Sequence, residues 1–367
     1  MAEKNRKLKV GIIGTGAISE MHIESYLKQP DTEIVAAADL VPGKAEKMMA
    51  KFGLTNARCY PDHLAMLQAE KDLDAVSVCT YNSTHAVCAI DTLNAGVNVL
   101  LEKPMCVTTQ EAVEIIRAEK ASGKVLSVGF QPRFDANMNK IKEIVDSGAL
   151  GKVYYIQTGG GRRRGLPENI TFVEKQTAGL GALGDIGCYS LDMVLRAVGY
   201  PKPITVSGYT SNYFGTNPTY NTGTDPARFA VDDFAAAFVR LENDIVLDFR
   251  ISWAMHANTP GDTLLLGTEG ALRIPSTNCW NGTVGGKMTL YYDKDGQRKE
   301  KKIKILDKNC NWDDLWLRKI RSFLDAVWAG APSPIPSSEI LINQTIIDAI
   351  ATSAQLGREI AIEIPEV

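Results

Sequence analysis

Leu8-Lys9-Val10-Gly11-Ile12-Ile13-Gly14-Thr15-Gly16-Ala17-Ile18-Ser19 decides how this chain folds. Its first six residues are an apolar run, too short for a helix and bounded by glycine, which reads as a buried strand. Helix-compatible sequence then runs to Gln29-Pro30. A second apolar run, Ile34 to Ala38, ends on Asp39, 23 residues after Gly16. Strand, glycine turn, helix, strand and acidic residue make one βαβ unit suited to a dinucleotide. Gly14 permits the tight turn, and Gly16 lets backbone approach a pyrophosphate at the N-terminus of a helix opened by Ala17 and Ile18. Asp39 can accept both hydroxyls of an adenosine ribose and would repel a 2′-phosphate, which predicts NAD in preference to NADP. Ser19 stands at the third glycine position and is small enough for close helix–strand packing.

Downstream, Leu73–Thr80, Val97–Leu101 and Val125–Gly129 read as further buried strands. They alternate with helices over Pro42–Phe52, over His85–Leu93, and from the capping box Thr108-x-x-Glu111 to Gly123. This predicts an α/β Rossmann domain, a doubly wound parallel sheet, over residues 1–130. From Gln131 the pattern changes. Asp135–Ser147 sets Met138, Ile141, Ile144 and Val145 on one helical face. Strand-like segments follow at Val153–Thr158, Ile204–Tyr209, Phe234–Leu241, Ile245–Trp253 and Met288–Tyr292. In Ile245–Trp253 the apolar residues Ile245, Leu247, Phe249, Ile251 and Trp253 alternate with Asp248, Arg250 and Ser252. Residues 131–367 are therefore expected to form an α+β domain with a large, mostly antiparallel open sheet and a last helix over Ile340–Leu356. The second face of such a sheet needs a cover, which points to a homo-oligomer formed through it.

Composition bounds the function. The 367 residues are 45% hydrophobic and 23% charged, with a net charge of −3, which fits a two-domain globular protein and speaks against nucleic acid or an anionic membrane as partner. No apolar run reaches membrane-spanning length, and residues 1–7 lead into the first strand without the apolar core of a secretory signal. The seven cysteines are scattered and form no CxxC pair, as expected of free thiols in the cytoplasm. No cysteine or histidine–carboxylate spacing indicates a metal.

Gly11–Ser19, Asp39, Thr80-Tyr81-Asn82-Ser83-Thr84-His85, Glu102-Lys103-Pro104 and Gly181–Asp192 occur in an order and spacing that resemble the Gfo/Idh/MocA oxidoreductases, a family that includes glucose-fructose oxidoreductase and inositol dehydrogenase. The resemblance implies NAD(P) on the N-terminal domain and most substrate contacts on the C-terminal one. It implies that Thr80, Asn82 and His85 line the pyrophosphate and nicotinamide side of the cofactor. Glu102 and Lys103 join them, with Lys103 touching both nicotinamide ribose and a substrate hydroxyl. Asp185 and Tyr189 match the family's catalytic aspartate and its histidine or tyrosine. Tyr189 departs from the histidine of many members and resembles the tyrosine-bearing branch; Tyr81 departs from the usual proline.

The residues themselves agree. Lys103 ends a central strand, where open α/β sheets bind ligands, and its ammonium can stabilise an alcohol oxygen losing its proton. Asp185, Tyr189 and Asp192 are spaced i, i+4 and i+7, as on one helical face. A phenol titrates near 10, so Tyr189 needs help as a base, and an adjacent Lys103 would favour its phenolate. Asp185 can bind a substrate hydroxyl or orient the lysine. Arg133, in Gln131-Pro132-Arg133-Phe134, either binds substrate or braces the domain junction. Arg162, Arg163 and Arg164, in a glycine-rich loop, either grip an anionic or polyhydroxylated ligand or its aglycone, or form a solvated loop or a subunit contact. His22 reads as a packed histidine, and Trp312 and Trp316 as helix-packing residues.

Together these predict NAD-dependent oxidation of a secondary ring hydroxyl of a sugar or glycoside, with C3 of a glycoside favoured. Tyr189, aided by Lys103, would handle the proton. An inositol, cyclitol or dihydrodiol dehydrogenase, a reductase of a sugar-derived carbonyl, and a non-catalytic NAD-binding protein are the alternatives.

Overall fold

The computed structural model describes residues 6–276, 286–304, 306 and 312–367. Strands β1 (Leu8–Ile13), β2 (Thr32–Ala38), β3 (Arg58–Tyr60), β4 (Ala75–Val78), β5 (Asn98–Leu101) and β6 (Leu126–Val128) form a six-stranded parallel sheet ordered β3-β2-β1-β4-β5-β6. The order reverses between β1 and β4, which opens a crevice at their carboxyl ends. Helices α1 (Ala17–Leu27), α2 (Lys44–Lys51), α3 (His63–Ala69), α4 (His85–Asn94) and α5 (Thr109–Ser122) make the crossovers. The predicted capping box is formed: the Thr108 hydroxyl accepts from the Glu111 amide while the Glu111 carboxylate accepts from that of Thr108. Gly123, at φ 63°, closes α5 in the left-handed conformation.

The second sheet has nine strands. They are β7 (Val153–Gly161), β8 (Pro203–Ser211), β9 (Phe234–Leu241), β10 (Ile245–Ser252), β11 (Thr263–Gly267), β12 (Gly270–Ile274), β13 (Thr289–Lys294), β14 (Gln297–Lys302) and β15 (Ile360–Ala361), in the order β14-β13-β12-β11-β7-β10-β9-β8-β15. Among the described residues, only β7 and β10 of this sheet pair in parallel. The alternation in β10 is realised: Ile245, Leu247, Phe249 and Ile251 are buried, while Val246, Asp248 and Arg250 lie half-buried on the outer face. That outer face also carries Tyr155, Tyr209, Phe238 and Leu264, of which Tyr209 and Phe238 are exposed.

Helices α6 (Ala136–Asp146), α7 (Lys175–Ala178), α8 (Ala182–Asp185), α9 (Gly187–Ala197), α10 (Trp312–Ala329) and α11 (Ser337–Leu356) complete the chain. Both α9 and α11 pack on the second sheet. In contrast, α10 returns to the first: Ile320, Phe323 and Leu324 share one core with Leu8, Val10, Ile12 and Ile23. Trp316 is buried beside His22 in that seam, whereas the side chain of Trp312 lies outside the described residues. The apolar face of α10, from the second part of the chain, thus closes the first sheet.

Candidate active site

The glycine turn has the shape a dinucleotide needs. Gly14 sits at φ 84°, and a Cβ there would lie 2.8 Å from the Cys79 carbonyl group, so only glycine brings the end of β1 against that of β4. Gly16 starts α1 with no side-chain cap, and a Cβ on it would meet nothing within 4 Å. Ala17 and Ile18 are exposed. The first turn of α1 thus presents uncapped amides to open space, which fits a pyrophosphate. Ser19 is buried, and its hydroxyl donates to the Gly16 carbonyl at 2.6 Å.

Asp39 is anchored to the same turn. Its Oδ2 accepts from the Thr15 amide and hydroxyl, both at 2.8 Å, and its Oδ1 from the Val41 amide at 2.9 Å. Burial opposes its ionisation, but these N–H and O–H donors and the nearby Lys44 ammonium outweigh it and hold the carboxyl below its ordinary range. A carboxylate charged at neutral pH therefore faces the end of β2. Thr80 is half-buried at the end of β4. Asn82 donates from Nδ2 to the Ala178 carbonyl at 3.0 Å, which ties the crevice to α7. His85 is buried and donates from Nδ1 to the Pro104 carbonyl at 2.7 Å, bracing the Glu-Lys-Pro turn. Burial lowers its pKa, so Nε2 remains a neutral acceptor, with no partner among the described residues.

Lys103 leaves β5 and crosses to the second sheet. Its Nζ donates to the Asp185 carboxylate at 2.8 Å and to the Asp185 carbonyl at 2.9 Å. The other carboxylate oxygen accepts from Trp253 Nε1 at 3.0 Å. Burial would lower the Lys103 pKa, but Asp185 outweighs it and raises it above the ordinary amine value. The approach to α8 is set by Gly181, where a Cβ would fall 1.8 Å from the Asp232 carbonyl oxygen. Tyr189, on α9, lies with its ring face 4.9 Å from Lys103 Nζ, and its hydroxyl accepts from Gln131 Nε2 at 2.8 Å. The expected help from Lys103 is present but insufficient: burial outweighs it and raises the phenol above its ordinary value. The ammonium faces the ring, not the oxygen.

Two expectations need correction. Glu102 is not a cofactor contact through its side chain. It is buried, and Oε1 accepts from His22 Nε2 at 2.9 Å and Lys319 Nζ at 2.7 Å. Arg133, read as either binding substrate or bracing the junction, has its guanidinium engaged within the protein. Its guanidinium is spent on both Asp192 oxygens, at 2.9 and 2.6 Å, on Glu339 at 2.5 Å and on the Tyr200 hydroxyl. Asp192 is accordingly turned away from Asp185, which ends α8 and is separated from α9 by Ile186, so the three residues do not share one helix face. Arg162, Arg163 and Arg164 lie in the loop after β7. The amide of Arg162 donates to the Ser252 carbonyl at 3.3 Å, and Arg163 is exposed. The Arg164 guanidinium lies 4.7 Å from the ring centroids of both Phe214 and Tyr220 and donates to the Met255 carbonyl at 2.8 Å. Met255, which accepts that bond, stands two residues after Trp253. Trp253 is a site residue that the sequence did not single out; the inward phase of β10 pointed to a buried Trp253 but not to its carboxylate partner.

The buried Arg133 cluster yields a direct test. Arg133→Met should lower the unfolding free energy by about 3–5 kcal/mol, because Asp192 loses its buried cation. Urea unfolding measures this. A raised KM with unchanged stability would return Arg133 to substrate binding.

Residues 8–130 match the oxidoreductase family model with an NAD-binding Rossmann fold, and residues 138–273 match the Gfo/Idh/MocA C-terminal domain. The chain belongs to the Gfo/Idh/MocA oxidoreductase family. Within it, the chain is 28% identical to the D-glucoside 3-dehydrogenase of Escherichia coli K12 over 96% of its own length and 97% of that protein's. The inositol 2-dehydrogenase of Salmonella typhimurium is 34% identical over 40% of this chain and 43% of its own. Levoglucosan dehydrogenase in complex with NADH and levoglucosan shares the fold, with a TM-score of 0.81 at 21% identity over 98% of this chain and 100% of that one.

Proposed function

We propose that this oxidoreductase oxidises a secondary ring hydroxyl of a glycoside, at C3, with NAD as hydride acceptor. The observation that carries the reading is the Lys103–Asp185 pair beside the Tyr189 ring at the mouth of the switch-point crevice. The similarity to a D-glucoside 3-dehydrogenase along 96% of the chain supports the substrate class. Bound NAD supplies the hydride acceptor. Lys103, held charged by Asp185, donates to the substrate oxygen and stabilises the negative charge that develops there. Tyr189 takes the hydroxyl proton, and Asp185, fixed by Trp253, sets the lysine's position. The cluster of Arg164 with the Phe214 and Tyr220 rings offers an aglycone a cationic and aromatic surface. The half-apolar outer face of the second sheet would be covered by a second copy of the chain.

The test is the near-ultraviolet band of reduced nicotinamide on mixing the protein and NAD with alkyl and aryl glucosides, free sugars and inositols. Reduction by glucosides, with a 3-keto product, is the expected result. Reduction by inositol alone would favour the cyclitol reading that the Salmonella relative suggests. Silence with every compound would overturn the proposal.

A further inference from the structure

A buried phenol is a poor base, and in this site the nearest cation does not reach its oxygen. What does reach it is Gln131, which follows β6 and is fully buried. Its Nε2 donates to the Tyr189 hydroxyl at 2.8 Å, while its Oε1 is buried with no hydrogen-bond partner among the described residues. With the amide so oriented, the Tyr189 oxygen is an acceptor on the Gln131 side, and the phenol hydrogen is free to point elsewhere. Turned over, the amide would accept that hydrogen and hold it within the protein.

We propose that Gln131 is a positioning residue for proton transfer, whose amide stabilises the Tyr189 phenolate and leaves its oxygen free on the substrate side to take the hydroxyl proton. This rests on the role given to Tyr189 above and adds what makes that role workable. During oxidation the phenolate takes the substrate proton as the hydride leaves, and one N–H bond from Gln131 is exchanged from a charged to a neutral oxygen. Charge-assisted hydrogen bonds exceed neutral ones, so the amide favours the ionised phenol. The other groups facing this phenol are Lys103 after β5, which also favours ionisation, and Glu102, Cys188 and Asp185, which oppose it. The edge of the Phe130–Tyr189 contact, at 5.8 Å between centroids, fixes the ring so that a single donor suffices to orient the hydroxyl.

The experiment uses the NAD-loaded enzyme with 3-fluorotyrosine at position 189 and follows its fluorine resonance against pH, a readout that needs no turnover. Gln131→Met, close to isosteric, removes the donor; Gln131→Glu keeps the shape and replaces it with an acceptor. Both should move the Tyr189 titration to higher pH, Gln131→Glu further. With a turned-over substrate, Gln131→Met should lower kcat about ten- to a hundredfold with KM little changed, and displace the basic rise of the kcat profile in the same direction. A Tyr189 titration unchanged in whichever variant retains the wild-type near-ultraviolet dichroism would overturn the proposal, as would a lower kcat on an unmoved pH profile. A shifted titration in a protein that oxidises no sugar would uphold the coupling and overturn the proposed function instead.

Discussion

Lys103→Met is expected to lower kcat by about 10²–10³-fold, the loss that follows removal of one preorganised donor from a developing oxyanion. The affinity for NAD should change little, because the glycine turn and Asp39 are untouched. Two features let this be read as chemistry and not as unfolding. Asp185 keeps its Trp253 partner at 3.0 Å when the ammonium is gone. Its side chain is also 16% exposed, so water can replace part of the lost partner. The pH dependence is informative as well. Asp185 raises the lysine above its ordinary value, so Lys103 stays charged through the whole working range, and the rise of kcat with pH in wild type belongs to another group. Lys103→Met should therefore lower the profile without moving its rise. Steady-state kinetics with calorimetric NAD binding decide the matter: a loss below tenfold would remove Lys103 from the oxyanion role.

Lys319→Met should lower stability by about 3–5 kcal/mol at neutral pH, and the loss should shrink in acid. The wild-type cluster has one consistent donor chain: Tyr26 to Ser77, Ser77 to His22 Nδ1, His22 Nε2 to Glu102, with Lys319 donating to the same carboxylate oxygen. Burial opposes the charge on Glu102, but Lys319 and His22 outweigh it and keep the carboxylate ionised. Burial, together with the Lys319 charge, lowers His22 to about 4 and leaves it neutral. One anion is thus balanced by one cation. In wild type the unfolded chain protonates its histidine first as pH falls below 6.5, so His22 costs stability on the way to pH 4, about 3 kcal/mol in all. Without Lys319, the bare Glu102 draws the proton onto His22 and its folded pKa rises. Acid then adds stability, and that contribution is lost as pH rises through the new value. Urea midpoints of the two proteins between pH 5 and 7.5 should converge toward the acid end; parallel curves would show that His22 does not take over the charge.

The sequence was readable wherever structure is local. The glycine turn, the α5 capping box and the alternation of β10 each depend on residues a few positions apart, and each appears where the spacing puts it. Strand β14 was invisible because its six residues, Gln297 to Lys302, are all exposed and polar, so nothing alternates. The site divides in the same way. Gly14, Gly16 and Asp39 form one βαβ unit, whereas Lys103 meets Asp185 across 82 residues and Lys319 meets Glu102 across 217. Spacing carries no information on such pairs. The family resemblance supplied the first and was silent on the second, and spacing could not choose between substrate binding and bracing for Arg133, whose partner Asp192 lies 59 residues away.

The return of α10 to the first sheet sets an order of events during synthesis. The strands of that sheet leave the ribosome within the first third of the chain. The residues that cover Leu8, Val10 and Ile12, and the ammonium that balances Glu102, arrive only with Lys319, Ile320, Phe323 and Leu324. Until then the nascent first half carries a bare apolar face and an uncompensated acid directly behind Lys103. Its packing must wait for nearly the whole polypeptide, so a chain that stalls midway leaves a sticky fragment without an assembled lysine turn.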